Sequence, residues 1–297
     1  MLGYFRLRRV SRWMGLAGLA CLLASGVTAA AEDELVTQRR IYRGKVKSSD
    51  ANGIVMEIRV PGGQSVITLP RKLVLKATVE APPGVNSGIA AYEKGNYKEA
   101  QASLGKTIKQ YQGLDVGWAS TSQIYYARAC LAAGDLQKAQ RAFVLFATNY
   151  PEHVLFRDAQ VGLAEIDLAK KNYESALGKY RGLAEYFDKQ LKPSRTESAI
   201  AARIYLGMGQ CLEGLSKPAE ALKAYLHLVA LYPVEPYCPE ALFRSAMLYS
   251  GLGQAEQAKI RLTALVNDYP SSAWGSKAVE EKKKIASRSE SKPASSR

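Results

Sequence analysis

The chain has 297 residues, 47% of them hydrophobic, an ordinary globular composition that suits one or two domains. The formal net charge is +14, but residues 1–31 and 276–297 each supply +4 of it, so the bulk of the chain is only mildly basic. Such a balance favours adhesion to anionic surfaces; it does not support a dedicated nucleic-acid site.

The N-terminus reads as an export signal. Arg6, Arg8, Arg9 and Arg12 precede the apolar run "WMGLAGLACLLASGV", and small residues follow at Ala29, Ala30 and Ala31. Basic, apolar and small-residue segments in that order predict a signal peptide over residues 1–31. The run is short of the roughly 20 residues of a bilayer span. Two other readings stay open: a retained membrane anchor, and lipidation at Cys21, where Gly18 stands in place of the Leu usual three residues before such a cysteine.

Residues 32–80 are expected to form a small β-rich unit, either an antiparallel sheet or an SH3-like barrel. From Arg39 the texture is strand-like: "RRIYRGKVKS", "IVMEIRV", "SVITLP" and "RKLVLKATV" are separated by turn residues at Asn52-Gly53 and Pro61-Gly62-Gly63. Ile54, Met56, Ile58 and Val60 share one face of a period-2 pattern. So small a unit has little core and is expected to lean on its neighbour. "EAPPGV" ends the strand pattern as a stiff linker.

Residues 81–270 carry a repeat. Three segments end in Tyr-Pro: Tyr150-Pro151, Tyr232-Pro233 and Tyr269-Pro270. Proline cannot continue a helix, so each pair marks a helix end. Aligned on Ala100, Ala139, Ala176, Ala221 and Ala258, the residues four positions on are Leu104, Phe143, Tyr180, Tyr225 and Leu262. Gly95, Gly134 and Gly253 stand five before. The small alanine lets two helices approach, the larger residue lies on the same face, and glycine allows a tight turn. The pattern resembles the tetratricopeptide repeat, whose A-x3-F…P signature marks the second helix of a helix–turn–helix unit. The alanine spacings of 39, 37, 45 and 37 exceed the usual ~34, and the longest includes "KQLKPSRTE", expected as an exposed loop. The fold class expected is therefore mainly α, an α-solenoid of about five repeats behind the β-rich unit. "YPSSAWGSKA" and "FVLFATNYPEHVLFRDAQVGLAEI" are also similar to long repeats of bacterial envelope proteins, the periplasmic coordinator of the Tol–Pal system and the lipoprotein of β-barrel assembly. The β-rich front end departs from both.

Residues 271–288 are expected to form a capping helix with Trp274, Ala278 and Ile285 facing the last repeat, and residues 289–297 a disordered tail. The register puts Cys211 and Cys238 at opposite ends of neighbouring first helices, about 15 Å apart along the axis. That exceeds disulfide reach. Removal of the signal would leave Cys130, Cys211 and Cys238, and all three are expected as free thiols, with Cys130 and Cys211 buried.

No chemistry-bearing motif emerges. Phosphate-binding glycine loops, HExxH and GxSxG are absent. His153 falls in an inter-repeat turn and His227 on a helix, neither near a partner at ligand or triad spacing, so both read as structural. No cofactor, metal or catalytic residue is assigned. A surface remains. Eleven positions before each repeat alanine stand Arg128, Glu165, Gln210 and Met247, and three further on Leu131, Leu168 and Glu213. In a solenoid the first helices line the concave side, so these seven are the candidate binding stripe for a peptide or partner helix. The function expected is an exported, non-enzymatic envelope scaffold that binds another envelope protein. The alternative is a cell-wall or polyanion-binding module using its basic surface. No nucleic-acid partner is expected, and membrane association only if Cys21 is lipidated or the signal retained.

Overall fold

The computed structural model describes residues 32–190 and 192–290. The signal-peptide reading, Cys21 and residues 291–297 of the tail lie outside them.

Five strands come first: β1 (Asp33–Thr37), β2 (Ile41–Ser49), β3 (Ile54–Val60), β4 (Gly63–Leu69) and β5 (Val74–Thr78). They form one antiparallel sheet in the order β4-β3-β2-β1-β5. β1 lies upstream of the period-2 pattern and goes beyond the sequence expectation. The buried Asp33 secures it, its carboxylate accepting the backbone N–H of Val46 and of Glu80, each at 2.8 Å. One face carries Leu35, Val46, Ile54, Met56 and Leu69 into a core completed by Leu114, Tyr111 and Trp118 from the helical part. Trp118 Nε1 donates to the Val79 carbonyl (2.9 Å), Gln110 Nε2 to the Lys47 carbonyl (2.8 Å) and Ser49 Oγ to the Gln112 carbonyl (3.0 Å). The sheet thus leans on the helices, as its size required. Its outer face carries ion pairs, Arg43 with Glu34 and Lys47 with Glu57, together with exposed apolar residues such as Val66.

Ten helices then form five hairpins: α1 (Pro83–Glu93) with α2 (Tyr97–Gln110), α3 (Gly117–Ala132) with α4 (Leu136–Asn149), α5 (Phe156–Ala169) with α6 (Tyr173–Phe187), α7 (Arg195–Gly214) with α8 (Pro218–Leu231), and α9 (Tyr237–Gly251) with α10 (Ala255–Asp268). All five register alanines are fully buried, as are Leu104, Phe143, Tyr180, Tyr225 and Leu262. The tight turn needs a left-handed residue (φ 80°, 82° and 77° at Gly95, Gly134 and Gly253). In the third and fourth repeats Lys171 and Ser216 adopt it with φ 62° and 58°. Close helix approach is visible at Gly162, where an added Cβ would lie 2.3 Å from the Phe143 ring. At Gly209 it would lie 2.2 Å from the Tyr225 ring.

Tyr150, Tyr232 and Tyr269 cap α4, α8 and α10 outside the helical region (φ −132°, −133° and −134°), and the proline after each cannot continue the helix. The expected loop at residues 189–197 is shorter than anticipated. Ser194 Oγ accepts the Glu197 N–H while the Glu197 carboxylate accepts the Ser194 N–H, a capping box that makes Arg195–Glu197 the first turn of α7. The last helix, α11 (Ala273–Glu290), runs two residues past its expected end. Ala278 and Ile285 are buried, and the Trp274 ring packs on Phe243 at 5.1 Å. No helix among the described residues is long and apolar enough to cross a membrane.

Cys130, Cys211 and Cys238 are free and buried, Cys238 included although only the first two were expected inside.

Candidate functional site

The candidate stripe falls into two parts. Arg128 and Leu131 of α3 and Glu165 of α5 line a concave cavity of about 670 Å³ that reaches from Tyr92 of α1 to Tyr237 of α9. Leu168 and Met247 are instead half-buried against the apolar core. Gln210 and Glu213 of α7 are tied up in a neighbouring polar chain. Gln210 Nε2 donates to Glu240 Oε1 (2.9 Å), and Arg244 bridges Glu240 (2.7 Å) and Glu213 (3.3 Å), which also accepts the Tyr225 hydroxyl.

The sequence reading missed Tyr92, Tyr125, Arg195, Arg203 and Tyr237 in the wall, and Asp158 beneath it. A signal for part of this set exists. Asp158, Arg203 and Glu240 stand eighteen positions before Ala176, Ala221 and Ala258, one heptad upstream of the stripe and on the same helical face. The structure joins the two rows. Arg128 pairs with Asp158, Arg203 Nε donates to Glu165 Oε1 (2.9 Å), and Gln210 reaches Glu240. Each link runs from the stripe residue of one repeat to the upstream residue of the next, or the reverse in charge. Arg203 is nine-tenths buried and also contacts Asp158, which has no exposure. Burial opposes the charge on Arg203, but the Glu165 and Asp158 carboxylates outweigh it and hold the guanidinium firmly protonated.

The ladder leaves few groups for a ligand. The hydroxyls of Tyr92, Tyr125 and Tyr237 make no hydrogen bond among the described residues, and Arg195 no ion pair. Arg128 Nε is buried without a partner. Burial raises the Tyr92 and Tyr237 phenols above their ordinary value, against the pull of Arg128 and Arg203. Both therefore offer neutral O–H groups at physiological pH. The Tyr92 and Tyr125 rings meet edge to face at 5.4 Å and give the cavity an aromatic wall. This is binding chemistry: aromatic surface, neutral donors and one uncommitted cation.

Both histidines are packed into the repeats. His153 Nδ1 accepts the Leu155 N–H (3.1 Å), so its proton lies on Nε2 and points to Ser120 Oγ (3.2 Å), whose hydroxyl donates to the Gly117 carbonyl (2.9 Å). The ring locks the turn after Pro151. His227 stacks on Tyr205 at 4.0 Å, and its Nε2 lies 3.6 Å from Asp188 Oδ1, which also accepts the Tyr205 hydroxyl, so the sequence expectation of no nearby carboxylate fails for this residue.

Comparison with known proteins agrees with this architecture. The tetratricopeptide repeat profile matches residues 240–272, the last hairpin and the turn after it. An outer membrane protein assembly factor, BamD of Rickettsia prowazekii (strain Madrid E), is 22% identical over 204 residues, covering 64% of this chain and 80% of that protein. Among solved structures, yeast Tom70 superposes with a TM-score of 0.54 at 14% identity, covering 71% of this chain and 41% of its own. A thermophilic TPR protein of Thermus thermophilus gives 0.49 at 16%, covering 66% and 96%. The helical array is therefore of the tetratricopeptide-repeat kind, residues 240–272 by sequence and the hairpins before them by fold.

Proposed function

We propose that the chain is an exported, non-catalytic scaffold of the bacterial envelope whose concave cavity receives an extended segment of another envelope protein. The single observation that carries the reading is the division of labour in the cavity. The buried charges pair with one another, leaving Arg128 Nε without a partner, while Tyr92, Tyr125, Tyr237 and Arg195 remain uncommitted at its surface. Aromatic rings with neutral hydroxyls suit a peptide backbone and its apolar side chains, and Arg195 suits an acidic group on the same segment. The envelope setting is supported by the order of basic, apolar and small residues before Glu32 and by the likeness to the assembly factor BamD. The test is affinity capture from envelope extracts with the wild-type chain and with Tyr92→Ala/Tyr237→Ala, at low and high salt. A partner that persists at high salt and is lost with the tyrosines is the expected result. Binding that collapses with salt in both chains points to adhesion through the basic surface instead. Fractionation, with sequencing of the mature N-terminus, checks location: a chain beginning after Ala29, Ala30 or Ala31 in an envelope fraction is expected.

A further inference from the structure

The two edges of the sheet are built differently. β5 is five residues long, its pairing with β1 is broken by a bulge between Val36 and Thr37, and Lys72 and Lys76 flank or occupy it. Short length, bulges and lysines are the devices that keep an edge strand from pairing further. β4 has none of them. Its sequence GQSVITL carries no charge and no proline, in a chain of net charge +14. All seven residues pair with β3 in unbroken register from Val60↔Gly63 to Ile54↔Leu69, and β3 is its only extensive neighbour.

The register tells which backbone groups are free. Val60 and Gly63 flank a two-residue turn and form a hydrogen-bonded pair, and such pairs alternate along the hairpin. Ser65, Ile67 and Leu69 therefore bond to β3, while the N–H and C=O groups of Gln64, Val66 and Thr68 point outward. Among the described residues none of these three makes a backbone hydrogen bond beyond the β3 ladder. The Val66 side chain is 64% exposed beside them.

We propose that β4 pairs antiparallel with β4 of a second copy of this chain, on a two-fold axis through Val66. This register sets Gln64 opposite Thr68, Val66 opposite Val66 and Ser65 opposite Ile67, and engages every outward-facing residue of the strand. It closes about six inter-chain hydrogen bonds and opposes no charge to a like charge. Two features favour a second copy as the occupant. The strand complements itself about Val66, as an isologous contact requires. It is also the uncharged edge of a basic molecule, where two copies repel least. An edge of this length buries less than the ~800 Å² per partner of a standard interface, so the dimer is weak and concentration-dependent.

Sedimentation velocity on the purified full chain from ~1 to ~500 µM is the test. The expected result is a reversible monomer–dimer equilibrium that Val66→Lys shifts at least tenfold towards monomer, with an unchanged melting temperature because the side chain is already exposed. As a geometric check, Val66→Cys crosslinks two copies under mild oxidation, since opposite residues in a hydrogen-bonded pair lie about 5.5 Å apart at Cα, within disulfide reach. Thr78→Cys on the β5 edge does not. A wild-type chain that stays monomeric throughout, or a dimer that Val66→Lys leaves intact, overturns the proposal. The cavity reading is independent of either outcome.

Discussion

The position five residues before each repeat alanine shows how one backbone angle selects a residue. A left-handed φ costs an L side chain on the order of 1 kcal/mol that glycine avoids, partly offset by glycine's greater freedom when unfolded. Lys171→Gly and Ser216→Gly should each stabilise the chain by about 0.5 kcal/mol, and Gly134→Ala should destabilise it by about 1 kcal/mol, all read from denaturant midpoints. The opposite constraint holds at Gly162, where glycine is needed for space. Gly162→Ala drives a methyl into the Phe143 ring and should cost about 2 kcal/mol. Buried thiols and phenols set an alkaline limit. Burial pushes Cys211 up to about 11, and burial with the Cys130 thiol pushes Tyr126 up to about 12. Both pKa values are raised on folding, so their contribution is complete below the ordinary thiol and phenol values and is lost as pH rises through 9 to 12. Thermal stability should fall progressively above about pH 9, and Cys211→Ala should blunt the early part of that fall. Cys130, Cys211 and Cys238 should resist alkylation at about pH 8 in the native chain and should all react once it is denatured.

At the scale of elements, the link between consecutive first helices is ionic where it is most deeply buried. Arg203 holds Glu165 and Asp158 together, and Arg128 shares Asp158. Removing one member of such a set strands the others in a poor solvent. Arg203→Met should cost about 3 kcal/mol in equilibrium unfolding. Arg128→Met, with a more exposed head group, should cost less. The hairpins themselves were legible in the sequence because an alanine with a large residue four positions on recurs five times at similar spacing. The upstream row was not, because Asp158, Arg203 and Glu240 at helical spacing look like any solvated face until the neighbouring helix is in place. β1 escaped for a related reason. In "DELVT" the acid at Asp33 points inward, so the strand lacks the apolar alternation that identifies its neighbours. Arg195 stands in a stretch whose composition reads as a loop, and the capping box within "SRTE" is what makes it helical.

On the scale of the whole molecule, the sheet and the solenoid are unequal partners. The sheet draws Tyr111, Leu114 and Trp118 into its core, whereas the hairpins bury their alanines among themselves. Residues 32–80 alone should show no cooperative melting transition by circular dichroism, while residues 81–297 should melt cooperatively. A sharp transition in the isolated sheet would mean that its own face suffices as a core. The concave cavity was legible only in part, since the register gives the face that each first helix presents but not how successive hairpins rotate. That rotation brings Tyr92 of the first repeat and Tyr237 of the fifth to one wall.

A repeat stack is otherwise a one-dimensional chain, in which each unit feels only its neighbours and the ends fray independently. A segment lying in this cavity touches the first unit and the last at once. It supplies the neighbour bond that the open chain lacks and turns a line of five units into a ring. Occupancy would therefore be felt as a change in cooperativity. The end hairpins α1/α2 and α9/α10 would stop exchanging their amide hydrogens ahead of the middle and would open together with it, or not at all.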